Sequence, residues 1–185
     1  MRLLEELIPI LPPDLPVVLD AYAATSLPSL DADCVSRLTG RVVVTPNDHE
    51  LEFLVGDEGS DESAADDEAD DDEGEGTDLP TGIRNAVEKY GAVVACSGWV
   101  GSADGFWQVA TGDTGLGTSG SGDVLAGAVA GLITRGAPMD QAVVWGVYSH
   151  AAAGDRLASE FGRVGYLAGE LLAELPLVLA SLRGD

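Results

Sequence analysis

Cysteine is scarce: Cys34 and Cys96 are the two in 185 residues. Two cysteines make no disulfide framework, and their scarcity fits a reducing, cytoplasmic compartment. Basic residues are few as well, 9 against 32 acids, and Lys89 is the single lysine. At a formal net charge of −23 there is no basic stripe to displace counterions from a phosphate backbone, which excludes nucleic acid as a partner. No apolar run is long enough to span a bilayer, so a membrane partner is excluded too. The N-terminal stretch MRLLEELIPILPPDLP carries Glu5, Glu6 and prolines but no small-residue cleavage site, and does not have the form of a signal peptide. No internal repeat is visible.

What is present is apolar. Hydrophobic residues make up 45% of the chain, enough for the core of one domain over residues 1–185. The acids are concentrated in DEGSDESAADDEADDDEGEGTD at 57–78, which holds 13 of them and no base; without it the net charge would be −10. Such a block cannot bury apolar area. It is expected to be a disordered, solvated insertion within the domain, a reading favoured over that of an acidic interaction tail.

Short apolar runs alternate with helical patterns. Leu3–Leu11 is amphipathic and stops at Pro12-Pro13. LPVVLDA at 15–21 and GRVVVTPN at 40–47 read as buried strands, the first closed by Asp20 and the second by a turn at Pro46. HELEFLVG opens a helix, GIRNAVEKYG at 82–91 is a helix with a glycine stop, and AVVACSG at 92–98 is a third strand. DGFWQVAT at 104–111 reads as a further strand entered by a turn at Asp104-Gly105. Three helices follow. In the first, Val124, Leu125, Ala128, Val129, Leu132 and Ile133 share a face before Gly136. The second runs over 138–158, and the third over YLAGELLAELPLVLASL. Apolar strands alternating with helices predict an α/β fold, a mostly parallel sheet covered on both faces.

One stretch carries chemistry: GLGTSGSGDVLAG at 115–127. GLGTSG fits the glycine pattern of a dinucleotide-binding turn, but that turn needs a strand before it and a strand ending in an acid about 20 residues on. Asp140 stands there instead, at the start of a helical pattern, so that reading is set aside. A phosphate-binding P-loop is excluded by the lack of Gly-Lys-Ser/Thr. GSGD at 120–123 remains. Gly120 and Gly122 let successive backbone N–H groups face one concavity at a helix N-terminus, where the orphan amides and the helix dipole favour an anion such as a phosphoryl group. Asp123 is then either a carboxylate that caps the helix or a base that takes the proton of a hydroxyl aligned with the phosphoryl group.

GLGTSGSGDVLAG, GVYSHAAAGDRLA at 146–158 and GYLAGELLAELP at 165–176 resemble the C-terminal part of the NAD(P)H-hydrate dehydratase family, within the ribokinase-like superfamily. VVLDAYA at 17–23 and VVVTPNDHELEFL at 42–54 resemble, in order, earlier segments of it. The resemblance implies a three-layer αβα ribokinase-like fold, incomplete on its N-terminal side. It implies dehydration of hydrated NADH or NADPH: ADP or ATP, with a magnesium ion (Mg2+), phosphorylates the added hydroxyl, and phosphate is eliminated. It further implies that Asp123 contacts the hydrate and acts as base, and that Gly120, Ser121 and Gly122 bind the phosphoryl group. Where the family has Lys-Gly-Ala-Gly-Thr against the adenosine phosphate, this chain has Cys96-Ser97-Gly98-Trp99-Val100; these are the expected nucleotide contacts. Asn47 replaces the histidine of a substrate-binding segment, while Thr45, Pro46 and Glu50 remain. Asp113 stands where the family often has asparagine.

Two other readings stay open: a small-molecule kinase of the same superfamily, and a non-catalytic remnant. With its front strands missing, the chain is expected to form a homo-oligomer or to pair with a separate N-terminal half. His150 could reach the site, though a core or surface histidine is the preferred reading because no second metal-type ligand is spaced with it. His49 is expected in an exposed turn. Trp99, Trp107 and Trp145 are assigned to packing, with stacking of Trp99 on adenine as the alternative. Cys96 is expected to be a buried strand residue.

Overall fold

The computed structural model describes residues 2–56 and 78–182. The acidic segment, apart from Asp78, lies outside the described residues. The three valine-rich runs become neighbouring parallel strands: β1 (Val17–Leu19), β2 (Val42–Val44) and β3 (Val93–Cys96). Continuous β-branched runs suit strands buried on both faces. β3 then folds straight back into β4 (Trp99–Gly101), which pairs antiparallel with β5 (Phe106–Gln108). The five-stranded sheet has the order β1-β2-β3-β4-β5, a parallel core extended by an antiparallel hairpin.

Side-chain alternation divides the sheet between two helical layers. Val42, Val44, Val94 and Cys96 face the layer built from α1 (Arg2–Leu7), α2 (Ala21–Thr25), α3 (Ala32–Leu38), α4 (Asp48–Val55) and α5 (Leu79–Tyr90). Val43, Val93, Ala95 and Val100 face α6 (Ser121–Thr134) and α7 (Met139–Phe161). α8 (Ala168–Ser181) closes a third apolar cluster around Leu157, Tyr166 and Leu171. The three-layer fold expected from the sequence is therefore present. Among the described residues no helix is long and apolar enough to cross a membrane.

Two elements go beyond the sequence expectation. α3 starts where the Asp31 carboxylate accepts from the Cys34 amide at 2.7 Å, and buries only Cys34 and Leu38, too sparse a stripe to stand out. β4 occupies residues expected to form a nucleotide-contact stretch. α6 and α7 meet where Gly146 faces Val129, whose side chain is fully buried.

Candidate active site

The C-terminal ends of β1, β2 and β3 open onto one edge, the usual position of a ligand crevice in an open α/β sheet. A cleft of about 770 Å³ lies there. Thr45–Asn47, which follow β2, form one rim, and the hairpin tip Ser97-Gly98 forms another. The segment 109–117 after β5, the start of α6, and His150 and Ala151 on α7 complete the walls. A second hollow of about 670 Å³ lies over α3 and α5, lined by residues that include Leu27, Val35, Thr39 and Lys89. Its walls, among the described residues, bring no acid and no glycine-rich turn, whereas the first cleft is lined by Asp113 and by Gly112, Gly117 and Gly122.

The hairpin tip is as tight as a hairpin can be. Ser97 (φ 45°) and Gly98 (φ 81°) both adopt left-handed backbone, as a two-residue type I′ turn requires. The Val109 amide donates to Gly98 O at 2.8 Å and draws the next segment to the tip.

α6 begins at Gly120 (φ 87°, ψ −2°), a conformation that costs a side-chain residue energy, with no side-chain capping bond. The Ser121 amide is taken by Thr118 O at 3.1 Å, leaving Gly122 and Asp123 to head the helix. Gly120 therefore holds the cap position, and Asp123 is an exposed acid of the first turn that does not cap. Across from it stands Asp20, at the end of β1. One of its oxygens accepts from Thr45 Oγ1 at 2.7 Å, and the other lies 3.7 Å from where a Cβ on Gly122 would be. The next residue, Ala21, has φ 49°, a left-handed outlier of the kind that clusters at functional sites.

The remaining walls are pinned by polar contacts. Ser121 Oγ and His150 Nε2 lie 2.9 Å apart, both residues buried. Burial pushes His150 below the ordinary imidazole range, and its contact with Ser121 opposes this only in part. The carboxylate of Asp155 accepts from Thr111 Oγ1 and from the Gly112 amide. Arg163 grips Asp113 through two bonds, of 2.6 and 2.5 Å, which hold that carboxyl down at about 2. Cys96 is buried; desolvation first, then its bond to Asp48, pushes the thiol up to about 12, so it is no nucleophile.

Of the residues singled out in the sequence, Asn47, Cys96, Ser97, Gly98, Ser121 and Gly122 line the cleft. Gly120 and Asp123 stand beside it at the start of α6 and are not among its lining residues. Trp99 and Val100 do not line it. The Trp99 ring packs on Phe106 with centroids 5.3 Å apart, and Val100 is fully buried beneath the α6–α7 layer. Asn47 and Glu50 exchange bonds of 2.9 Å each as a capping box for α4. His49 is exposed, as expected. Trp107 packs on the core, whereas Trp145 is 46% exposed, its ring edge against Tyr148. Asp20 and Asp155 were not singled out. Their signals were an acid closing an apolar strand and an acid within the small-residue run HAAAGDRLA.

A five-stranded sheet between two helical layers, with a glycine-rich helix start at the C-terminal ends of its parallel strands, makes this a three-layer α/β protein, and its fold is ribokinase-like by comparison with solved structures. The fold matches a ribokinase-like superfamily protein from Enterococcus faecalis with a TM-score of 0.71 at 21% identity, over 97% of this chain and 57% of that one. It also matches an ADP/ATP-dependent NAD(P)H-hydrate dehydratase from Bacillus subtilis, co-crystallized with ATP/Mg2+, with a TM-score of 0.63 at 22% identity, over 92% and 57% of the two chains. The chain belongs to the NAD(P)H-hydrate dehydratase family, whose pattern matches residues 4–177. It is 37% identical over 141 residues to the ADP-dependent (S)-NAD(P)H-hydrate dehydratase of Xanthomonas campestris, 76% of this chain and 45% of that protein. The chain spans about half the length of the curated full-size dehydratases it matches.

Proposed function

We propose that this chain returns hydrated NADH or NADPH to the reduced cofactor, with ADP or ATP as the phosphoryl donor. The observation that carries the proposal is the start of α6: amides free to meet an anion, and an acid, Asp123, not engaged in capping. The donor's terminal phosphoryl group rests against the Gly122 and Asp123 amides, where backbone dipoles meet its charge without reorganisation. The hydrate's hydroxyl oxygen bonds to phosphorus as the bond to the leaving nucleotide breaks, and Asp123 takes the hydroxyl proton. Phosphate then departs with the C–O electron pair while the neighbouring ring carbon gives up a proton, and the ring double bond is restored. The buried Ser121–His150 pair fixes the first turn of α6, and Asp155 fixes the wall at Thr111 and Gly112.

Among the described residues no lysine or arginine lines the cleft. The phosphate charge therefore falls to the amides and to a magnesium ion, which fits a donor set of one or two carboxylates with phosphate oxygens. Asp20, beside Gly122, is the residue that would hold it. When bound, such an ion supplies charge neutralisation on the phosphoryl oxygens.

The proposal includes a cytoplasmic setting, supported by the free thiols of Cys34 and Cys96. It also includes a partner for the β1 edge, either a second copy or a complementary chain. Nothing among the described residues pairs with that side of the sheet, and Tyr22, Ile10 and Leu3 are exposed. The test is to add the protein to hydrated NADH with magnesium and ADP or ATP and follow the reduced-nicotinamide absorbance. Its return supports the proposal. Phosphoryl transfer to an added alcohol with no return would support a small-molecule kinase instead.

A further inference from the structure

We infer that Asp48 is a positioning residue for the nucleotide: from the first turn of α4 its carboxylate reaches the tip of the β3–β4 hairpin and holds the two rims of the cleft together. Asp48 Oδ1 accepts from Ser97 Oγ at 2.5 Å and from Cys96 Sγ at 3.3 Å. The residues lie 49 and 48 positions away in sequence, so the contact is wholly tertiary. Asp48 directly follows Asn47, which lines the opposite rim. One carboxylate thus spans from the Thr45–Asn47 rim to the Ser97-Gly98 rim.

The contact is not explained by the needs of the helix. α4 already has a complete capping box from Asn47 and Glu50. The hairpin, by contrast, needs the support. Ser97 is a side-chain residue in left-handed backbone and is exposed, and among the described residues Gly98 is anchored by the Val109 amide. A bond to an ionised carboxylate is stronger than one between neutral groups and fixes direction. The two donors also stand in the stretch that matches the family's Lys-Gly-Ala-Gly-Thr, here without its lysine. With no cation on that strand, the tip contributes to the nucleotide through its shape and its backbone groups, and shape is what Asp48 fixes.

The inference rests on the cleft being the nucleotide site, and the test separates the two. Asp48→Ala, Asp48→Asn, Ser97→Ala and the Asp48→Ala/Ser97→Ala pair are titrated calorimetrically with magnesium-ADP, and turnover is measured at saturating nucleotide. Alkylation of Cys96 is followed with Cys34→Ser as background. Asp48→Ala is expected to weaken nucleotide binding about tenfold, the size of one lost charge-assisted bond. KM for the nucleotide should rise in step while kcat at saturation holds. Asp48→Asn, which keeps one acceptor oxygen but not the charge, should recover only part of the affinity, and the pair should bind no worse than Asp48→Ala alone. Cys96 should react faster once its partner is gone. Ser97→Ala, at an exposed position, gives the same reading should Asp48→Ala fold poorly. If wild type binds magnesium-ADP and Asp48→Ala binds it equally well, the inference is overturned alone. If wild type binds none, the reading of the cleft falls and the inference with it.

Discussion

Replacing Gly146 with alanine drives a methyl group into the seam between α6 and α7. An alanine Cβ there would stand 2.6 Å from Val129 Cγ2 and 3.5 Å from its Cα, whereas carbon atoms rest at about 3.5–4.0 Å. Val129 cannot swing away, because it is fully buried in the cluster with Val43, Val100 and Val143. The helices must part by about 1 Å, an overpacking cost of about 1–3 kcal/mol. Helix propensity acts the other way and favours alanine over glycine by about 1 kcal/mol. The packing term is the larger, so a net loss of about 1 kcal/mol is expected, against a gain if propensity ruled. His150 lies one turn further along α7, and its 2.9 Å contact with Ser121 crosses the same seam, so turnover should fall along with stability. Urea denaturation at unchanged m value measures the first effect. Val129→Ala supplies the cycle: it opens the space the new methyl needs, so Gly146→Ala should stabilise a Val129→Ala background. Gly146→Ala as stable as wild type, or no better tolerated beside Val129→Ala, would refute the reasoning.

Asp123→Asn should leave stability within about 1 kcal/mol, the scale of a lost first-turn charge at a helix dipole, while turnover falls by about two to four decades; turnover kept intact would remove Asp123 as the base. Burial holds His150 below its ordinary value of 6.5, so below pH 6.5 the unfolded chain binds a proton that the folded chain resists. Stability should therefore drop as pH falls from 6.5 toward that lowered value, and His150→Gln should flatten this part of the curve in thermal melts. The chain alone should sediment as more than a monomer, given the open β1 edge and exposed Tyr22 and Ile10; a clean monomer that still binds magnesium-ADP would dismiss that partner.

The sheet was legible because Val17-Val18, Val42–Val44 and Val93-Val94 are uninterrupted β-branched runs, and α5 because its apolar stripe ends at Gly91. GSGD announced its helix through glycines followed by an apolar face. β4 was not legible, since Trp99–Gly101 is three residues long and becomes a strand only by pairing back on β3. For the same reason Trp99 and Val100 looked like cleft residues: the turn that carries them past the rim rests on Ser97 taking left-handed backbone, which no pattern of residue types announces. Asp20, Asp48, His150 and Asp155 act through partners 25 to 49 residues away, and such pairings exist only once the layers are assembled.

The claim at the centre is that the cleft between the start of α6 and the β3–β4 hairpin holds the adenine nucleotide. Hydrogen exchange on the whole chain, with and without magnesium-ADP, tests it most directly. The amides of Gly122, Asp123 and the Ser97-Gly98 tip should slow, by up to about a hundredfold at about 100 times Kd, while those of α3 over the second hollow stay unchanged. Protection confined to α3 and α5, with none at the start of α6, would contradict it.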